Sequence, residues 1–157
     1  MKYSKNQLFW LVVLRVMIGW HFLYEGLAKL TNPNWSSVGY LLDSGDFMKD
    51  FFFNLASNPL TLEIVDFFNI WGLIAIGLGL ILGMFCRVAT WSGIILLVMY
   101  YLSHPPFVGI KYSILTEGSY LIVNKILIEL SALIVLLVFP TSKRIGIDRL
   151  IFRKKQN

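Results

Sequence analysis

Four long apolar blocks dominate the 157-residue sequence and limit what the chain can fold into. They cover about residues 8–30, 64–85, 88–102 and 120–139, and a helix needs about 20 apolar residues to cross the hydrocarbon of a bilayer. The third block is the shortest and lies near the lower limit for a span. Hydrophobic residues make up 57% of the chain, whereas soluble domains contain about 45–50%. The sequence therefore predicts an all-α integral membrane protein, a single four-helix bundle over residues 1–157.

Charged residues between the blocks predict the orientation of the spans. The two outer loops hold Lys49 and Lys111 together with five acidic residues. The remaining connections are basic, and their cations are Lys2, Lys5, Arg87, Lys143, Arg144, Arg149, Arg153, Lys154 and Lys155. Cations concentrate on the cytoplasmic side of membrane proteins, so both termini are predicted to be cytoplasmic in a multi-pass protein of a bacterial-type inner membrane. A basic tail after an apolar block favours contact with membrane lipids, and no nucleic-acid partner is expected.

The first outer loop, about residues 31–63, is long and contains a turn and a short helix. The turn is "NPNW", in which proline and asparagine restrict the backbone. Asp46 is the candidate N-cap of a short amphipathic helix, and Phe47, Phe51 and Leu55 would share its apolar face. Two interpretations remain open, a helix lying at the membrane surface and a lid over a cavity between the spans.

Four ionisable residues interrupt the first apolar block and share one face. At about 100° per residue they occupy about one third of the helix circumference. These residues are Arg15, His21, Glu25 and Lys29. Gly19 and Gly26 lie beside Arg15 on the helical wheel and would allow a neighbouring helix to approach closely.

Polar residues of the other blocks complete a predicted cluster in the outer half of the membrane. They are Asp66, Asn69, Asn124, Lys125 and Glu129. A charge near the centre of a bilayer costs about 2.5–3.5 kcal/mol on insertion scales, so we expect these groups to pair around a polar pocket that opens to the outer face. The alternative is purely structural, with Arg15–Glu129 and Glu25–Lys125 pairs fixing helix packing.

Cofactor chemistry is limited by the residue types. Cys86 is the only cysteine, so neither an internal disulfide nor a CxxC pair can form. His21 has no second histidine near it in sequence, so no metal site is predicted, and no flavin or nicotinamide motif is present.

Several motifs together resemble the DoxX family. They are "LRVMIGWHFLYEGLAKL", "NPNW" with "VGYLLDSG", "NIWGLIAIGLGLILGMFCRVAT", "YYLSHPPF" and "NKILIELSALIVLLVFP". The resemblance implies a four-helix membrane bundle and, as in the DoxD-like subunits of thiosulfate:quinone oxidoreductases, quinone-linked redox work. A second subunit or a homo-oligomer is a further expectation.

This resemblance suggests a role for each candidate site residue. A small oxyanion would dock on Arg15, Lys29 and Lys125, with Asn124, Asp66 and Asn69 also binding substrate. A quinone, as substrate or bound ligand, would place its ring near Trp20, Phe22 or Tyr24. Protons would move through His21 and Glu25 or Glu129. Two rival hypotheses are a non-enzymatic binding or assembly partner of a redox or envelope complex, and a component of a small transporter, for which four spans are few.

Overall fold

The fold is known from a computed structural model, which describes residues 3–45, 48–107, 112–113 and 121–152. These residues form helices and connections without a strand, which confirms the all-α prediction. In chain order the helices are α1 (Lys5–Leu30), α2 (Val38–Leu42), α3 (Lys49–Ser57), α4 (Pro59–Leu82), α5 (Cys86–Ser103), α6 (Lys125–Val138) and α7 (Asp148–Ile151).

Side-chain caps fix where three of the long helices begin. Ser4 and Gln7 form a reciprocal capping box at the start of α1. Asn58 accepts hydrogen bonds from the first N–H groups of α4, and Pro59 follows it in the first turn. Asn124 caps α6 by accepting from the backbone N–H of Leu127. These caps satisfy N–H groups that have no partner within a helix.

The four long helices form a ring in which α4 packs between α1 and α5, and α6 packs between α5 and α1. Helix α1 approaches α4 closely through glycines on both helices. A Cβ atom on Gly77 would lie 2.7 Å from the backbone oxygen of Gly19, and one on Gly26 would lie 2.9 Å from the backbone nitrogen of Ile74. The interior is filled by Phe22, Leu80 and Leu133, which are at most 3% exposed.

Three of these helices are long and apolar enough to cross a membrane, namely α1, α4 and α5 with 26, 24 and 18 residues. The predicted fourth span, residues 120–139, is too long. Residue 120 lies outside the described residues, residues 121–124 are not helical, and α6 has 14 residues. At 1.5 Å per residue α6 is about 21 Å long, less than the about 30 Å of hydrocarbon. The Asn124 cap explains the late start of α6.

The connection between α1 and α4 contains the expected short helix in a different register. Helix α3 begins at Lys49, with Met48 at its N-cap position and no capping side chain. Asp46 and Phe47 lie outside the described residues. Phe52 is the buried residue of α3, whereas Phe51 is 45% exposed, so the side of α3 that packs on the protein differs from the predicted apolar face through Phe51, which stays a prediction. The face that α3 buries is the one that packs against α2 and α4.

Candidate functional site

A cavity of about 330 Å³ lies at the end of the bundle where α1 ends and α6 begins, which we call the Leu30 end. Its walls come from α1, α4, α5 and α6, and residues 35–37 and 40 close it from the connection after α1. Helices α1 and α6 supply its charged groups, and the lining residues from all elements are His21, Phe22, Glu25, Lys29, Trp35, Ser36, Ser37, Tyr40, Asn69, Leu73, Leu97, Tyr100, Lys125, Ile126 and Glu129.

One wall of the cavity carries a histidine–carboxylate pair between α1 and α6. His21 Nδ1 lies 2.8 Å from Glu129 Oε1. The His21 side chain is 50% exposed and that of Glu129 is 14% exposed, so the pair is accessible from the cavity. A proton on Nδ1 makes a charge-assisted hydrogen bond to the carboxylate, which is shorter and stronger than a neutral one. The pair can therefore hold a proton and release it to a ligand.

A lysine about two turns further along α1 than His21 lines the same cavity and lies in a hydrogen-bonded network. Lys29 Nζ donates to Asn69 Oδ1 at 2.8 Å and to the Tyr100 hydroxyl at 3.3 Å, and that hydroxyl donates to Asn69 Oδ1 at 2.7 Å. The ammonium also lies 5.1 Å from the centre of the Trp35 ring, within range of a cation–π interaction. The network joins α1, α4 and α5 and keeps a cation beside the cavity.

Glu25 and Lys125 line the same cavity. Glu25 is one helical turn from both His21 and Lys29 on the face of α1 that was predicted to be polar. Lys125 is one turn from Glu129 on α6. Charges of both signs therefore line the space.

The lid of the cavity consists of the connection between α1 and α2 together with Tyr40 of α2, and no residue of α3 lines the cavity. Asp66 holds this lid on α4, because its Oδ1 accepts from the backbone N–H of Ser37 at 2.8 Å and from the Ser37 hydroxyl at 2.5 Å. Tyr40 donates to the backbone oxygen of Tyr100 at 3.3 Å. Burial raises the pKa of the Tyr40 hydroxyl, so it stays a neutral donor.

A second buried polar cluster lies behind the lid. His104 is 8% exposed, its Nδ1 lies 3.0 Å from the Ser103 hydroxyl, and its Nε2 lies 3.8 Å from Asp43 Oδ2. The His104 ring is 4.0 Å from the Tyr40 ring between centres. Burial lowers the pKa of His104, and Asp43 opposes that effect.

Arg15 is not part of this cavity, so the predictions that it docks an oxyanion there and that it pairs with Glu129 are wrong. It is 2% exposed, and its Nη1 donates to the Thr141 hydroxyl at 2.9 Å. A Cβ atom on Gly83 would lie 3.1 Å from Arg15 Nη2. Arg15 is six residues from His21, or about 9 Å along the helix, so its side chain reaches the segment after α6 at the opposite end of the bundle. We call this opposite end the Lys5 end.

Of the other predicted site residues, Phe22 lies at the cavity, whereas Trp20, Tyr24, Asn124 and Asp66 do not have the positions expected of them. Phe22 is 3% exposed and lines the cavity. Trp20 and Tyr24 are 61% and 60% exposed, and they face away from the cavity, so a ring bound inside would not contact them. Asn124 caps α6 and Asp66 anchors the lid, which gives both a structural partner.

Sequence reasoning missed the aromatic groups of the cavity, Trp35, Tyr40 and Tyr100. Trp35 is part of a motif that indicates only a turn, and Tyr100 is at the end of an apolar block, where tyrosine is common at the membrane interface. Their shared location depends on how the lid folds back over α4 and α5. Among the described residues, no group of three or more His, Cys, Asp or Glu side chains is placed to hold a metal ion.

Comparison with known proteins gives one finding. The model of the family described as DoxX matches residues 10–105, which is more than half of the chain. This region includes most of α1, the lid, α4 and α5, but not α6 with Lys125 and Glu129. Neither a curated protein nor a solved structure matches the chain.

Proposed function

The chain belongs to the DoxX family, and from that premise we propose that its cavity binds a quinone headgroup, as part of a quinone-linked redox membrane protein. The observation that carries the proposal is the His21–Glu129 hydrogen bond of 2.8 Å in the wall of a cavity between apolar helices. Reduction of a quinone to a quinol takes up two electrons and two protons, and this pair is a proton carrier next to the space.

The dimensions of the cavity suit one ring. Its volume of about 330 Å³ is at the small end of the range of about 300–1,000 Å³ for small-molecule sites. Leu73, Leu97 and Phe22 supply apolar contacts, and Trp35 supplies an aromatic face. An isoprenoid tail would extend past His21 towards lipid, because that side chain is half exposed.

The polar groups suit the two carbonyl oxygens of a quinone. Protonated His21 donates through Nε2, and Lys29, about two turns further along α1, donates through the N–H that its bonds to Asn69 and Tyr100 leave. Glu25 is the second carboxylate that lines the space, and the second proton would be relayed through it.

The electrons must come from outside the chain. Cys86 is the only cysteine, and it lies at the Lys5 end next to Asp148 rather than in the cavity. The donor is therefore a partner subunit that carries a redox group, or a small reduced anion such as thiosulfate. With Arg15 absent from the site, Lys29 and Lys125 are the lysine and arginine side chains among the described residues that line it, and this small number of permanent cations favours the partner subunit.

Binding of a short-chain benzoquinone to the purified chain in lipid nanodiscs tests the proposal. We expect saturable binding that Ser36→Trp abolishes by filling the cavity, whereas Ser57→Trp, on exposed α3, leaves it unchanged. Equal binding by both variants would mean that the quinone only partitions into lipid and would contradict the proposal. Quinone reduction is then measured in native membranes with thiosulfate added. If the quinone binds but is not reduced there, the result favours the non-enzymatic alternative.

A further inference from the structure

We propose that a second cavity, at the Lys5 end of the bundle, is a binding site for an anionic phospholipid. This cavity of about 590 Å³ lies between the start of α5, the end of α6 and the segment up to Phe152. It shares no lining residue with the cavity at the Leu30 end, so the inference is independent of the proposed quinone site.

The walls of this cavity suit an acyl chain. Val88 on α5 and Val138 on α6 are 64% and 51% exposed, and Leu136 and Leu137 lie beside them. Cys86 is the first residue of a helix that is long enough to span the membrane, so the cavity mouth is at the membrane boundary. A lipid tail would run along the groove between α5 and α6, where the two helices pack together.

The rim of the cavity suits a phosphate group. Arg87, Lys143 and Arg144 line it and are exposed. Arg144 is oriented by Tyr3, with the guanidinium carbon 5.5 Å from the ring centre. Arginine presents a planar fork of donors that matches phosphate oxygens.

Asp148 is an acidic residue that lines this cavity, and its carboxylate charge is compensated by hydrogen bonds from two backbone N–H groups. The carboxylate is 5% exposed and accepts from the backbone N–H groups of Phe85 at 2.8 Å and Cys86 at 3.2 Å. A carboxylate at a helix N-terminus is stabilised by the helix dipole. The lining residues thus present three exposed cations around one buried, hydrogen-bonded carboxylate.

Both parts of the cavity point to one occupant. A cationic rim alone would attract any anion, and an apolar groove alone would take any lipid tail. Their combination at the membrane boundary fits a diacyl phospholipid with net negative charge. This end is also the one that the charge bias predicts to be cytoplasmic, and the cytoplasmic leaflet carries anionic lipids.

Native mass spectrometry of the full chain in neutral detergent tests the site with dioleoylphosphatidylglycerol and dioleoylphosphatidylcholine. We expect one tightly bound phosphatidylglycerol per chain and weaker binding of phosphatidylcholine. Arg87→Gln and Lys143→Gln should each weaken phosphatidylglycerol binding about fivefold, since one cation near an anionic lipid surface contributes about that factor. Arg149→Gln is the matched control, because Arg149 is an exposed cation next to this site that does not line the cavity.

Three results would overturn the proposal. Equal weakening by Arg149→Gln would show unspecific charge attraction, and equal affinity for the two lipids would remove the role of the headgroup charge. Displacement of phosphatidylglycerol by millimolar inorganic phosphate would show an ion site without a lipid tail. Val88→Trp gives an independent check, because it fills the groove and should weaken lipid binding while Arg87 and Lys143 are intact.

Discussion

Replacing Gly77 by alanine places a methyl group in the contact between α1 and α4. The new Cβ would lie 2.5 Å from the backbone nitrogen of Leu23 and 2.7 Å from the backbone oxygen of Gly19. Since non-bonded carbon contacts are most favourable at about 3.5–4.0 Å, the two helices must separate by about 1 Å. These neighbours are backbone atoms and cannot turn aside as a side chain can.

The expected cost of Gly77→Ala is about 1–3 kcal/mol, the range for overpacking a close contact. For a chain of this size, 2 kcal/mol corresponds to a fall in Tm of about 4–8 °C. Thermal unfolding of the purified chain in detergent, followed by circular dichroism, measures the change.

Gly72→Ala on the same helix is the matched control, because apart from the adjacent backbone of α4 itself nothing lies within 4 Å of the added methyl group. Alanine is the better helix former, so Gly72→Ala should keep or raise the Tm. If the Tm values of Gly77→Ala and Gly72→Ala agree within about 1 °C, a shift well below the range for overpacking, the close approach of α1 and α4 is wrong.

Three further predictions concern the C-terminal segment, the cluster behind the lid and the topology. Asp148→Ala removes the acceptor of two backbone N–H groups at the start of α5 and should cost about 0.5–2 kcal/mol, as loss of an N-cap does; the Tm in detergent measures it. Burial lowers the pKa of His104 below its ordinary 6.5, so the unfolded chain binds the proton more readily and stability should fall as pH drops below about 6.5. Melts over this pH range should show a weaker decline for His104→Gln, and an equal decline would contradict the assignment. Ser57→Cys, exposed on α3, should react with an impermeant thiol reagent in intact cells and Gln156→Cys should not, whereas the reverse would invert the predicted orientation.

The sequence predicts the membrane class and the polar face of α1 because both depend on local pattern. Apolar block length identifies spans, and a period of 3.6 residues places His21, Glu25 and Lys29 on one face. The structure brings these three residues to one cavity together with Lys125 and Glu129. The extent of α6 was mispredicted because one capping residue, Asn124, outweighs the apolar character of the residues before it.

Partner choice within the polar face could not be read from the sequence. Arg15 shares the face of His21, but the two residues lie about 9 Å apart along the helix axis. The long Arg15 side chain meets Thr141, in the segment after α6, so Glu129 pairs with His21. Arg15 and Thr141 are 126 positions apart in the sequence, so their contact is specified only by the packing of the bundle. The position of the lid could not be read from the sequence either, because it depends on the hydrogen bond that Asp66 of α4 accepts from Ser37 of the lid.

The affinity of Glu129→Gln for a short-chain benzoquinone tests the central claim most directly. Glutamine keeps the shape of the side chain but cannot hold the His21 proton in a charge-assisted hydrogen bond, which contributes about 1.5–3 kcal/mol. The Kd in nanodiscs should therefore rise at least about tenfold, and the Tm of the variant, measured beside it, checks that the chain stays folded. Glu63→Gln, an exposed carboxylate of α4 that does not line the cavity, should bind like the unmodified chain. If Glu129→Gln binds the quinone with the affinity of Glu63→Gln, the His21–Glu129 pair does not hold the headgroup and the proposed function is contradicted.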